Sequence, residues 1–150
     1  MDKELMDQDA RHIAQDFLDR QGAVTISGDV DATLDWCDIP CTLESAGQRV
    51  IVTEQAEMRS ICSTFIDRLR SRRLTHMVRR CLVASYQDAD TISATYETRY
   101  VRDGHLLTED PYAGFVVLKR RETGWKISNM QFDVSSDSPA NVTLRDRHSD

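Results

Sequence analysis

The 150-residue sequence has no long hydrophobic run. Nothing in it approaches the ~20 apolar residues needed to span a bilayer. Its first residues, Met1-Asp2-Lys3-Glu4-Leu5-Met6-Asp7, lack the apolar core of a secretory signal. A cytoplasmic protein with no membrane partner is therefore expected. An excess of positive charge is also missing. Net charge is −6 and the pI about 5.2, which argues against binding nucleic acid or anionic lipid through a general basic surface. The basic run from Arg68 to Arg73 closes a predicted helix, where cations offset the negative end of the dipole. The cysteines are few: Cys37, Cys41, Cys62 and Cys81. Cys37 and Cys41 stand four apart, but no second pair or nearby histidine completes a zinc site. They are read as reduced, small apolar packing residues. No nucleotide, flavin or metal motif is present, so no cofactor and no metal are expected. Asn141-Val142-Thr143 matches the glycosylation pattern but has no meaning without export.

What is present is an ordinary globular composition, 40% hydrophobic and 29% charged, at the length of one domain. Met6, Ala10, Ile13, Ala14, Phe17 and Leu18 recur at spacings of three and four, predicting a helix over residues 2–20 that Gly22 weakens. Gly28-Asp29 offers a cap for a short second helix carrying Val30, Thr33 and Leu34, stopped before Pro40. Residues 40–43 and 48–52 read as a small hairpin, with Gly47 suited to a positive φ in its turn. Thr53 is placed to cap a third helix, whose residues Met58, Ile61, Cys62, Phe65, Ile66 and Leu69 form an apolar stripe.

Residues 75–134 read as four consecutive strands. In the second, Ile92, Ala94, Tyr96, Thr98 and Tyr100 alternate cleanly onto one face. The third, from Tyr112 to Arg120, is apolar on both faces, as a doubly covered strand would be. In the fourth, Trp125 and Ile127 have one parity and Met130, Phe132 and Val134 the other. A β-bulge at Ser128-Asn129 would restore a single apolar face; burial of both faces, one by helices and one by a partner subunit, is the alternative. Residues 1–134 are expected to form one domain and 135–150 a loosely ordered tail.

This element order, the Gly28-Asp29 segment, Asp38-Ile39-Pro40 after the short helix and the closing Gly124-Trp125-Lys126-Ile127 resemble the nuclear-transport-factor-2-like superfamily. That group includes polyketide cyclases of the SnoaL type, ketosteroid isomerase, scytalone dehydratase and limonene epoxide hydrolase. The resemblance implies an α+β, cone-shaped fold: three N-terminal helices and a short hairpin packed on a curved antiparallel four-strand meander, with a pocket between sheet and helices. It also implies a homodimer through the outer sheet face. Because one fold hosts many functions, it implies an architecture and a pocket location, not an activity.

The chemistries of that group can be tested on the residues. By rough alignment Glu44 falls where ketosteroid isomerase carries its catalytic carboxylate, but the positions of its two oxyanion donors are occupied by Phe17 and Ala113, which cannot donate. Glu44 is also a sensible polar turn residue. Dehydratase chemistry would want paired imidazoles, and only His76 lies near a strand. Epoxide hydrolysis needs two acids and an arginine around one water. Asp38, Asp133 and Glu97, with Arg79, Arg80 or Arg99, supply the types. Asp38, Glu44 and His76 are thus the candidate catalytic residues. Phe17, Trp36, Phe65, Tyr96 and Asn129 are the candidate pocket-lining residues, with core packing as the plainer role for Trp36 and Tyr96. The expected function is binding of a small apolar or amphipathic molecule, with a cofactor-independent lyase, isomerase or hydrolase activity left open. The alternative is a noncatalytic association module that uses the outer sheet face.

Overall fold

A computed structural model describes residues 2–45, 47–108, 111–133 and 143–144. Helix α1 spans Lys3–Ile26, with the Asp2 carboxylate accepting from Glu4 N at its start. It continues six residues beyond the predicted end and passes straight through Gly22. The reason is packing. A Cβ at Gly22 would lie 3.2 Å from Arg79 Nη2, so the glycine makes room for a side chain from the sheet. The backbone penalty of ~0.5–1 kcal/mol is absorbed by a long helix. Helix α2 is short, Val30–Leu34, capped as expected by Asp29, which accepts from Ala32 N at 2.9 Å. Helix α3 spans Gln55–Ser71 and is preceded by Glu54, not Thr53, at its N-cap, with no side-chain cap bond. Its stripe of Met58, Ile61, Cys62, Ile66 and Leu69 is buried, while Phe65 is half-buried.

The strands are β1 (Cys37–Ser45), β2 (Gln48–Val52), β3 (Leu74–Asp88), β4 (Thr91–Arg102), β5 (Leu106–Leu107), β6 (Tyr112–Arg121) and β7 (Gly124–Asp133). The predicted four-strand meander is β3-β4-β6-β7, antiparallel throughout. The β1–β2 hairpin, turning at Gly47 (φ +81°), joins this sheet rather than standing apart from it, because β1 pairs parallel to β7. The result is a curved, unclosed mixed sheet in the order β2-β1-β7-β6-β4-β3, with β5 on β4.

The irregularity in β7 is a bulge. Val117 pairs with Asn129 and Leu118 with Ile127, leaving Ser128 as the extra residue. Ile127 and Met130 are consequently both buried despite their opposite parity. The predicted inward face of β4, Ile92 to Tyr100, is buried at every position. Val116 and Leu118 of β6 are fully buried and Phe115 and Val117 half-buried on its other side. Helix α1 lies along β3, and α2 packs on α3. Of the segment expected to be a loose tail, Thr143 and Leu144 are described, and both are buried against the core; the rest of 135–150 lies outside the described residues. No helix among the described residues is long and apolar enough to cross a membrane.

Candidate functional site

Between the inner face of the sheet and the helices lies a cavity of about 100 Å³. Each wall follows from a periodicity in the chain. The helical stripe of α3 contributes Met58, Ile61, Cys62 and Phe65. The alternation of β4 contributes Tyr96, Thr98 and Tyr100, and the bulge in β7 turns Ile127, Met130 and Phe132 to the same side. From β3 come Met77 and Arg79, opposite Tyr100 and Thr98 respectively. Thr25 of α1 and Thr33 of α2, hydroxyl to hydroxyl at 3.2 Å, form part of the helical wall with Gln21.

Most of this lining is apolar, so its polar atoms stand out. Tyr96 is 1% exposed and its hydroxyl has no hydrogen-bond partner. The Tyr96 ring rests on Gly114, its direct partner across β4 and β6. A Cβ at Gly114 would come within 2.7 Å of Tyr96 Oη and closer still to Cζ. Tyr100 and Tyr112 share a hydroxyl–hydroxyl bond of 2.8 Å. Arg79 is 7% exposed; its Nη2 donates to Leu18 O at 2.7 Å and to Gln21 Oε1 at 2.5 Å, while Nε has no partner. Its guanidinium lies 6.0 Å from the Tyr96 ring centre.

Burial governs the ionisation of this set. Desolvation lowers the pKa of Arg79, opposed by the neighbouring tyrosines and by Asp19. Desolvation raises Tyr96 and Tyr112 well above the usual phenol range. Cys37, also on the cavity wall, is held up by a hydrogen bond with Cys62 and by burial. Burial pushes Cys41 up to about 12. The four cysteines are unbridged. Among the described residues no group of three or more histidine, cysteine, aspartate or glutamate side chains is placed to hold a metal ion.

The residues singled out in the sequence divide among three places. Phe65 and Tyr96 line the cavity. Phe17 and Trp36 instead pack edge to face, 5.1 Å between ring centres, beside a separate outer groove closed by Trp125 and Lys126. Asn129 is held on the far side of β7 from Met130, next to Thr42 and Val117, because the extra residue at the bulge is Ser128. None of the three candidate catalytic residues reaches the cavity. Asp38 accepts from Arg121 Nη2 at 2.6 Å and Nε at 3.1 Å. Glu44 pairs with Arg49 at 3.4 Å, and exposed His76 contacts Thr75 Oγ1 at 3.0 Å through Nδ1. Glu97 pairs with Arg80 on the outer face. The cavity's arginine is Arg79. Met77, Arg79 and Cys81 share one parity and turn inward, but Val78, Arg80 and Leu82 offer an equally apolar alternative, so parity alone does not single Arg79 out.

A helical layer cupped by a curved mixed sheet, with a cavity between them, defines the nuclear-transport-factor-2-like, cystatin-like fold. The solved structures that superpose on the chain have the same fold. A nuclear-transport-factor-2-like protein with a cystatin-like fold from Novosphingobium aromaticivorans matches with a TM-score of 0.63 at 16% identity, covering 91% of this chain and 89% of its own. A domain of unknown function with a cystatin-like fold from Nostoc punctiforme matches with a TM-score of 0.64 at 11% identity, over 94% and 86%. A ketosteroid isomerase-like protein from Erwinia carotovora atroseptica matches with a TM-score of 0.61 at 12% identity, over 82% and 94%. No protein-family model and no curated protein matches the sequence.

Proposed function

We propose that the chain is a small-molecule-binding protein whose ligand occupies the cavity between the curved sheet and the helices. The observation that carries this is an interior lined mainly by apolar side chains yet containing a buried, unpartnered hydroxyl, that of Tyr96. A buried polar group is normally satisfied, and a few convergent polar groups in an apolar hollow are the usual composition of a ligand site. The described lining residues include no carboxylate and no imidazole. Binding is the reading this lining supports, and lyase, isomerase or hydrolase chemistry would have to move its proton through the lining tyrosines or cysteines. The ligand is a small apolar or amphipathic molecule, held by the predicted 1–134 domain together with Thr143 and Leu144, which also line the cavity. Unbridged thiols suit a reducing, cytoplasmic setting.

Ile61→Phe, which adds volume to the cavity wall, tests the reading. Small amphiphiles should raise the melting temperature of the wild-type protein, since a ligand at a hundred times its Kd adds ~2.7 kcal/mol. The variant should lose that response. Equal shifts in both proteins would put binding outside the cavity and end the proposal.

A second reading is supported by Val78, Leu82 and Val83, apolar and exposed on the edge strand β3. They favour association of two copies through the outer sheet face. Light scattering should then give a dimer mass that falls to the monomer value in Val83→Lys, and a monomeric wild type would remove this reading.

A further inference from the structure

We propose that the cavity is built for a carboxylate: Arg79 supplies the counter-charge, Tyr96 Oη a second donor, and Met58, Ile61 and Met130 the surface for a short apolar body. This rests on the reading that the interior is the ligand site.

The inference starts from an unbalanced charge. Arg79 sits deep in β3, turned inward opposite Thr98, and is 7% exposed. The two acceptors it reaches, Leu18 O and Gln21 Oε1, are neutral. Both are used by Nη2, whereas a guanidinium carries five N–H donors. Nε is buried without a partner, and among the described residues no carboxylate forms an ion pair with this side chain, Asp19 acting on it only from longer range. The neighbouring Arg80, one residue on and facing out, does have its acid, Glu97. Removing an ion from water costs several kcal/mol even after relaxation, and buried charges are ordinarily paired. Here the protein leaves a cation facing an apolar hollow, with a second unsatisfied polar atom, Tyr96 Oη, in the same wall. Gly22 is part of the arrangement, since its missing Cβ admits the guanidinium against α1.

Charge and volume select the anion. One guanidinium balances the single charge of a carboxylate and matches its two oxygens. A phosphate monoester brings about −1.5 to −2 at neutral pH, and the described lining holds no second cation to meet it. A space of about 100 Å³ is smaller than the ~150 Å³ cavity that admits benzene. The fitting ligand is a short aliphatic acid of roughly two to four carbons on that scale.

Calorimetric titration of the whole chain with propanoate, butanoate and the matching amides tests this. In the wild type each acid should bind about tenfold or more tighter than its amide, as a charge-assisted bond to a buried partner requires. Arg79→Met should erase that preference, and Arg79→Lys should keep part of it. Tyr96→Phe retains the ring and should weaken both acids while preserving their rank. Should Arg79→Met fail to fold, the wild-type preference and Tyr96→Phe still decide. Amides binding as well as acids would overturn the carboxylate inference and leave the container intact. A preference surviving in folded Arg79→Met would overturn it as well. Failure of every acid and amide to bind the wild type would remove both readings.

Discussion

Gly114→Ala is a small change with a calculable effect. Gly114 faces Tyr96 directly across β6 and β4, and a Cβ there would intrude to 2.7 Å of Tyr96 Oη and 2.8 Å of Cε2. No heavy atom sits that close without displacement. The Tyr96 ring cannot swing away freely, because the residue is 1% exposed within the core. Overpacking of this kind costs ~1–3 kcal/mol. Against it stands the gain from replacing glycine inside a strand, ~0.5–1 kcal/mol, so the net loss should be about 0–2.5 kcal/mol. A double-mutant cycle separates the two. Tyr96→Ala alone should cost about 3–5 kcal/mol, as for other large buried aromatics. In that background the clash is gone, and Gly114→Ala should become stabilising by ~0.5–1 kcal/mol. The coupling energy is then the steric term itself, ~1–3 kcal/mol. Urea denaturation of the four proteins measures it. Coupling below ~0.5 kcal/mol, the ordinary error of additivity, would refute the claim that Tyr96 is seated on Gly114.

Other consequences are open to simpler assays. Phe65→Ala should cost less than the ~3–5 kcal/mol of a fully buried phenylalanine, because Phe65 is only half-buried between the cavity and the small cluster of Leu69, Leu74 and Tyr100; a loss at the top of that range in denaturant would mean it is enclosed. Burial raises the hydroxyl pKa of Tyr96 and Tyr112 in the folded protein. The stability tied to their neutral form is complete below the unfolded value of ~10 and is lost as pH climbs through the folded values. Tyrosinate absorbance should therefore show these two ionising only with unfolding, and their reversible titration near pH 10 in a folded protein would contradict the burial. Asp38→Asn and Glu44→Gln remove carboxylates already paired with Arg121 and Arg49 outside the cavity. Titration with any cavity ligand should give wild-type affinities for both variants, and a large loss in either would move the site to that residue.

The parts of the fold legible in the sequence are those where one periodicity decides. The alternation of β4 names its inner face residue by residue, and the phase break in β7 locates its bulge, because a side-chain period of two cannot shift without an inserted residue. The cavity wall was legible only where it shares those elements, at Tyr96 and Phe65. Arg79 competes with Arg80 for the inward position. Strand β3 carries register shifts near Thr75, Leu82 and Gln87, so parity counted from its ends does not carry through. Trp36 and Phe17 look like cavity aromatics by composition, yet they meet each other at an outer groove. That contact depends on how α2 sits on α1, which no local pattern encodes. The reach of α1 past Gly22 was hidden for the same reason: the glycine answers to a side chain on a strand more than fifty residues away.

The parallel pairing of β1 with β7 has a consequence for biosynthesis. Cys37 finds its partner in Ile127, roughly ninety residues later, and such distant contacts are the slow step in assembling a sheet. The β1–β2 hairpin is made early by the ribosome but cannot dock until the closing strand exists. At ~5–20 residues per second, that leaves several seconds in which one strand edge waits unprotected. Chaperone dependence and insolubility on overexpression should therefore respond most to substitutions in β7, the last strand made and the one that seals the hairpin to the meander.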